Sequence, residues 1–158
     1  MNPPPTASRD FLLKLELRSH PQLLCAVRGA LEPLVESLGF AEEQCRAIVR
    51  GVDEAVSNIM KHSYCGQLDR PIELYVNRIE DPGRADHEPG VEIVLYDCGP
   101  PCDPTKLKAR PLDEVRPGGL GLHIIRGSMD TVEYQREEGR NRLRLVKFAR
   151  SSKESPSS

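Results

Sequence analysis

The hydrophobic period of this chain changes near Pro71, and that change limits the folds open to it. Before it, Ile48, Val52, Val56 and Ile59 recur at helical spacing, so residues 41–62 predict an amphipathic helix packed on a core. After it, Ile72-Glu73-Leu74-Tyr75-Val76-Asn77-Arg78-Ile79 and Val91-Glu92-Ile93-Val94-Leu95-Tyr96-Asp97 alternate as strands. Residues 81–90 between them are polar, with Pro and Gly near both ends, which suits a long antiparallel hairpin connection. Residues 131–135 and 142–148 read as a second strand pair, turned at Glu138-Gly139-Arg140-Asn141. Upstream, Leu13, Leu15 and Leu17 share one face of a strand. Ser19 is placed to cap a helix that contains Leu23 to Leu38, carries Pro33 as a point of kinking or splitting, and stops at Gly39. Residues 120–129 read as a short helix. The order is strand, two helices, two strands, loop, short helix, two strands. Strands that pair mostly as hairpins beside grouped helices predict an α+β two-layer sandwich, its sheet mixed and mostly antiparallel, with helices on one face.

With 158 residues the chain is long enough for one domain with a real core and too short for two comfortable ones. We expect that domain over residues 9–150, between a disordered Pro-rich stretch at 1–8 and a disordered Ser-rich tail at 151–158. A net charge of −2 gives no electrostatic footprint for nucleic acid. No apolar run approaches the roughly 20 residues needed to span a bilayer, and the first residues lack the pattern of a signal peptide. Five scattered cysteines make a disulfide framework a poor reading and point to a reduced, cytoplasmic protein.

Three stretches carry chemistry. On the helix over 41–62, Glu54, Asn58 and His62 follow at i, i+4 and i+8, a stripe that drifts about 40° per step towards the apolar edge. A carboxylate, an amide and an imidazole there are either an ordinary polar face or a site. Next comes Asp97-Cys98-Gly99-Pro100-Pro101-Cys102-Asp103-Pro104, at the end of a strand. It is either an Asx-type turn or a carboxylate acceptor presented where Gly99 permits close approach; such an acceptor suits the exocyclic amine of adenine. Cys98 and Cys102 find no second cysteine pair or nearby histidine to complete a tetrahedral metal set. The third is Arg116-Pro117-Gly118-Gly119-Leu120-Gly121-Leu122, opening the short helix. Its glycines serve either tight packing or the approach of backbone N–H groups to phosphate at a helix N-terminus. Gly-Lys-Ser/Thr occurs nowhere, so it is not a P-loop.

Taken in this order and spacing, the three stretches resemble the N box and the two glycine boxes of the GHKL ATPases, the group with the Bergerat ATP-binding fold. Within it the likeness is closest to the anti-sigma-factor serine/threonine protein kinases. Met129-Asp130 after the short helix and the ending Asn141-Arg142-Leu143-Arg144-Leu145-Val146-Lys147 add to it. The resemblance covers residues 9 to 149 and leaves no room for a histidine phosphoacceptor domain.

It implies ATP and Mg²⁺ as cofactors and a role for each matched residue. Glu54 matches the general base and Asn58 the Mg²⁺ ligand on the phosphates. His62 lies on the same stripe, near phosphate or lid. Asp97 matches the adenine-reading aspartate, with Gly99 allowing close approach and Asp103 in the same box. Gly118, Gly119, Leu120, Gly121 and Leu122 match the segment whose backbone meets the phosphates. Cys102 departs from the family, which commonly has an aromatic there. Lys106, Lys108, Arg110 and Arg116 of the variable lid offer either a phosphate contact or a solvated basic loop. The resemblance further implies a homodimer and two protein partners, a sigma factor and a small anti-anti-sigma protein of the STAS type that is phosphorylated on Ser or Thr. Two other readings remain: a nucleotide-gated binding module without kinase activity, and an ATPase module of a larger assembly.

Overall fold

The computed structural model describes residues 9–80, 88–101 and 120–149. The strands are β1 (Arg9–Arg18), β2 (Pro71–Glu80), β3 (Pro89–Asp97), β4 (Thr131–Glu137) and β5 (Arg140–Phe148). They form one sheet in the order β1-β2-β3-β5-β4, every neighbouring pair antiparallel. The helices are α1 (Leu24–Ser37), α2 (Glu42–Asn58) and α3 (Leu120–Ser128). The α+β sandwich is as expected, and the sheet is antiparallel throughout the described strands. Among the described residues no helix is long and apolar enough to cross a membrane.

Period-two alternation assigns the two faces of the sheet. Ile72, Leu74 and Val76 of β2, Val91, Ile93 and Leu95 of β3, and Leu143 and Leu145 of β5 point one way. They form a single cluster with Leu31 and Val35 of α1 and Ile48, Val52 and Val56 of α2. The apolar stripe of α2 read from the sequence is therefore the stripe that lies in the core.

Local chemistry moved several boundaries. Ser19 does not cap the first helix. It is buried, its hydroxyl donates to the Gln67 carbonyl at 2.6 Å, and it accepts from the Arg70 N–H at 3.0 Å. A 3₁₀ turn at Pro21–Leu23 opens the helix instead. Pro33 sits inside a continuous α1 and does not split it. The second hairpin turns on two residues, Glu138 and Gly139, with φ of 49° and 78°. Positive φ at both is the type I′ geometry that matches strand twist, so Arg140 and Asn141 belong to β5.

The face away from α1 and α2 carries an unusual group. Glu92 is fully buried there, its carboxylate accepting from Arg144 at 2.6 Å, Arg9 at 2.8 Å and Asn77 at 3.0 Å. Burial alone would raise this carboxyl. Hydrogen bonds from Arg144 and Asn77, with the charges of Arg9 and Arg144, outweigh it and hold the group below its ordinary value of 4.5. The Arg9 contact also ties β1 across β2 to β3. A carboxylate depressed in the fold stabilises fully above its unfolded value, and that contribution is lost as pH falls through the folded one. Urea unfolding of Glu92→Gln should show a loss of ~1–3 kcal/mol at neutral pH. The gap to the unsubstituted protein should persist down to 4.5 and close below it. A gap that widens in acid would contradict the assignment.

Candidate functional site

Helix α2 begins with Glu42 and Glu43, whose charges suit its N-terminal dipole. Two of its polar residues lie at the edge of the apolar stripe. Glu54 and Asn58 are half-buried, and among the described residues neither makes a hydrogen bond or ion pair. Their polar atoms are open to solvent or to a ligand.

Beyond Asn58 the helix changes pitch. Ile59–Ser63 is a π-helical turn, closed by Tyr64 N–H to the Ile59 carbonyl at 2.9 Å and sealed by Gly66 N–H to the Met60 carbonyl at 2.9 Å. A π turn bonds i to i+5 instead of i+4, and such turns are frequent at functional sites. The residue following Asn58 along the stripe becomes Ser63. His62 is exposed, with its carbonyl accepting from Cys65 Sγ, and the structure does not bring it to the groups described next. The uniform α-helical stripe ends at Asn58.

Ser63 meets the second stretch. Its hydroxyl donates to Asp97 Oδ1 at 2.5 Å. The same oxygen accepts from Gly99 N–H at 2.9 Å and from Asn141 Nδ2 at 2.9 Å. Asp97 is 6% exposed. Among the described residues no donor reaches Oδ2, so one oxygen is saturated and the other left to accept. Gly99 is required here by space, because a Cβ would collide with Ser63 Oγ and stand 2.9 Å from the Ser63 carbonyl. Tyr64 closes the joint, accepting from Cys98 N–H at 2.8 Å and donating to the Pro71 carbonyl at 2.5 Å. Burial pushes its phenol up, which keeps the O–H available to donate.

The third stretch lies against the first. A Cβ on Gly121 would sit 2.9 Å from Glu54 Oε2, 3.3 Å from Asn58 Oδ1 and 3.5 Å from Asn58 Nδ2. The opening turn of α3, with its partial positive charge, therefore rests on the two unpartnered side chains of α2. Leu120 is the first residue of α3 and Leu122 is half-buried in it. Asp103, Gly118, Gly119 and the lid cations Lys106, Lys108, Arg110 and Arg116 lie outside the described residues. Of the expected site, the structure brings Glu54, Asn58 and Gly121 together at one place. It sets Asp97 and Gly99 beyond the π turn, against Ser63.

Ser63, Tyr64 and Asn141 escaped the sequence reading. The signal for Asn141 was present: it falls on the inward face with Leu143 and Leu145, and a polar residue on a buried face needs a partner. Ser63 had none, since its position depends on the π turn.

The glycines give a test that needs no ligand. Gly29 of α1 has nothing within 4 Å of a built Cβ, so Gly29→Ala should stabilise by ~0.5–1 kcal/mol through helix propensity. Gly99→Ala should lower stability by ~1–3 kcal/mol through forced displacement of Ser63. Thermal unfolding checks both, and equal effects would contradict the packing described.

Comparison with known proteins places this arrangement. Residues 17–147 match the model of the histidine kinase-like ATPase domain. A serine-protein kinase RsbW of Oceanobacillus iheyensis is 24% identical over 80% of this chain and 80% of its own length. A serine/threonine-protein kinase BtrW of Bordetella bronchiseptica is 33% identical over 60% of this chain and 63% of its own. Among solved structures, the RsbU and RsbW domains of a Mycobacterium tuberculosis protein superpose on 89% of this chain with a TM-score of 0.57 at 16% identity. This chain spans about a third of that longer one, 34%, and the likeness is one of fold. The family match runs through every element from the end of β1 to β5, and the chain belongs to the histidine kinase-like ATPase domain family.

Proposed function

We propose that this chain is a Mg-ATP-dependent serine/threonine protein kinase that controls transcription by partner switching, binding a sigma factor and phosphorylating a small anti-anti-sigma protein. The observation that carries the reading is the pair of unpartnered side chains, Glu54 and Asn58, packed under the first turn of α3, with an open carboxylate oxygen of Asp97 further along. Those are groups for the two ends of a nucleotide. Names of relatives support the kinase part: RsbW and BtrW are called serine or serine/threonine kinases.

In this reading Asp97 Oδ2 accepts from the exocyclic amine of adenine. The N–H groups at the start of α3, with Gly118 and Gly119 before them, receive phosphate oxygens, and Leu120, Gly121 and Leu122 supply the turn. The family resemblance adds Asp103, in the same box as Asp97, to the nucleotide-binding residues. A hard amide oxygen on Asn58, without a side-chain partner among the described residues, fits a magnesium ion whose remaining ligands would be phosphates and waters. Bound there, the ion would neutralise phosphate charge. Glu54 would take the proton of the attacking Ser or Thr hydroxyl. Positioning and charge neutralisation supply most of phosphoryl-transfer catalysis, so a single base suffices. The protein would work in the cytoplasm as a homodimer. Strand β1 supports the dimer: it is a sheet edge, with Phe11 64% and Leu12 37% exposed, and such edges tend to be covered.

Two measurements test the reading. In titration calorimetry, Asp97→Asn should weaken ATP with or without magnesium, whereas Asn58→Ala should remove mainly the magnesium-dependent part. Failure of the intact protein to bind ATP would end the proposal. With labelled ATP and the partner protein, Glu54→Gln should keep ATP affinity within a few-fold, yet slow transfer by at least ~100-fold. Binding without any transfer by the unsubstituted protein would favour the nucleotide-gated module. Equal transfer by Glu54→Gln would remove Glu54 from the role of base.

A further inference from the structure

The hairpin of β4 and β5 reaches into the Asp97 joint with two side chains that the assigned roles leave unused. Asn141 is 5% exposed. Its Nδ2 donates to Asp97 Oδ1 at 2.9 Å and to the Pro100 carbonyl at 2.9 Å, with the Gly99 carbonyl at 3.5 Å. Its Oδ1 accepts from Arg136 Nη1 at 3.0 Å, and that nitrogen also donates to the Gly99 carbonyl at 2.8 Å. An amide flips easily when its surroundings do not distinguish oxygen from nitrogen. Here they do: acceptors stand on one side and a guanidinium on the other. Arg136 on the oxygen side and the acceptors on the nitrogen side together orient Asn141 so that it presents its amine to Asp97.

The consequence falls on the carboxylate. With Ser63, Gly99 and Asn141 all on Oδ1, the group cannot rotate to exchange its oxygens without breaking three hydrogen bonds. Oδ2 is thereby fixed in place as an acceptor. A purine bearing a 6-amino group has a donor for it; one bearing a 6-oxo group offers an acceptor and is repelled. Sites built to hydrogen-bond one substrate group discriminate strongly against the analogue that lacks it.

We propose that Arg136 and Asn141 are positioning residues that set the base selectivity of the site, Arg136 by orienting the Asn141 amide and Asn141 by immobilising Asp97. The inference rests on the nucleotide-binding reading above and adds a selectivity mechanism to it. Once Arg136 is removed, Asn141 Oδ1 loses its donor and the amide is held from the Asp97 side alone; its hold on the carboxylate loosens, and the preference for the amino-purine declines.

The test uses the full chain and two nucleotides, ATP and inosine triphosphate, which differ at the 6-position of the purine. Equilibrium affinities are measured for the unsubstituted protein, Arg136→Met and Asn141→Ala. The unsubstituted protein should prefer ATP. Arg136 is exposed, so Arg136→Met should fold and can carry the test even if Asn141→Ala does not. Its ATP-to-inosine-triphosphate preference should drop at least ~5-fold, mainly through weaker ATP binding. Loss of the same factor for both nucleotides, or an unchanged preference, would reduce the clasp to a structural tie and overturn the proposal. An unsubstituted protein that binds both nucleotides equally overturns it too, while leaving nucleotide binding intact. One that binds neither removes the nucleotide reading itself, and the clasp's role with it.

Discussion

One carboxylate oxygen joins the layers of this protein at its functional end. Asp97 Oδ1 accepts from the end of the α2 helix through Ser63, from its own loop through Gly99, and from β5 through Asn141. Hydrogen bonds to a charged group contribute about 1.5–3 kcal/mol each, so this atom is a substantial tie between helix layer and sheet. Its position follows from two neighbours in the chain. Leu95 places the end of β3 in the core, and Gly99 lets the loop turn back under Ser63 without a side chain in the way. Tyr64 repeats the link one residue on, holding the Cys98 N–H and the Pro71 carbonyl on one hydroxyl.

Glu54 and Asn58 lie on the same helix, N-terminal to this joint. The π turn between Asn58 and Tyr64 is where α2 changes from carrying Glu54 and Asn58 to carrying Ser63. Gly121 leaves Glu54 and Asn58 little freedom, since its missing Cβ is the space they occupy. In the proposed reading, the phosphate end rests on α2 against α3, and the base end sits where the turn after α2 meets the end of β3.

Much of this could be read from the chain. The period-3.6 stripe of Ile48, Val52 and Val56 and the alternation of β2, β3 and β5 are consequences of one-sided burial, which leaves its pattern in the sequence. So Glu54, Asn58, Asp97 and Gly121 could be placed on their elements. What was hidden depends on events without a local pattern. The π turn inserts one residue into a helix, and nothing in Ile59-Met60-Lys61-His62-Ser63 announces it, so His62 stood where Ser63 now does. Ser19 looked like a helix cap because a cap needs only neighbouring residues. Its actual partners, Gln67 and Arg70, are some fifty positions away. The Asn141 amide is obscured for a different reason: the turn signal of Glu138-Gly139 extends by residue type through Arg140 and Asn141, whereas the turn itself ends at Gly139.

The claim at the centre of this account is that α2 and the end of β3 carry the two ends of a nucleotide site, joined through Asp97. A crystal structure of the protein with ADP and magnesium tests it most directly. We predict the adenine amine within hydrogen-bond distance of Asp97 Oδ2, with Ser63 and Asn141 still on Oδ1, and the diphosphate between Asn58 and the first turn of α3. A nucleotide bound elsewhere, or an adenine that makes no contact with Asp97, would contradict it.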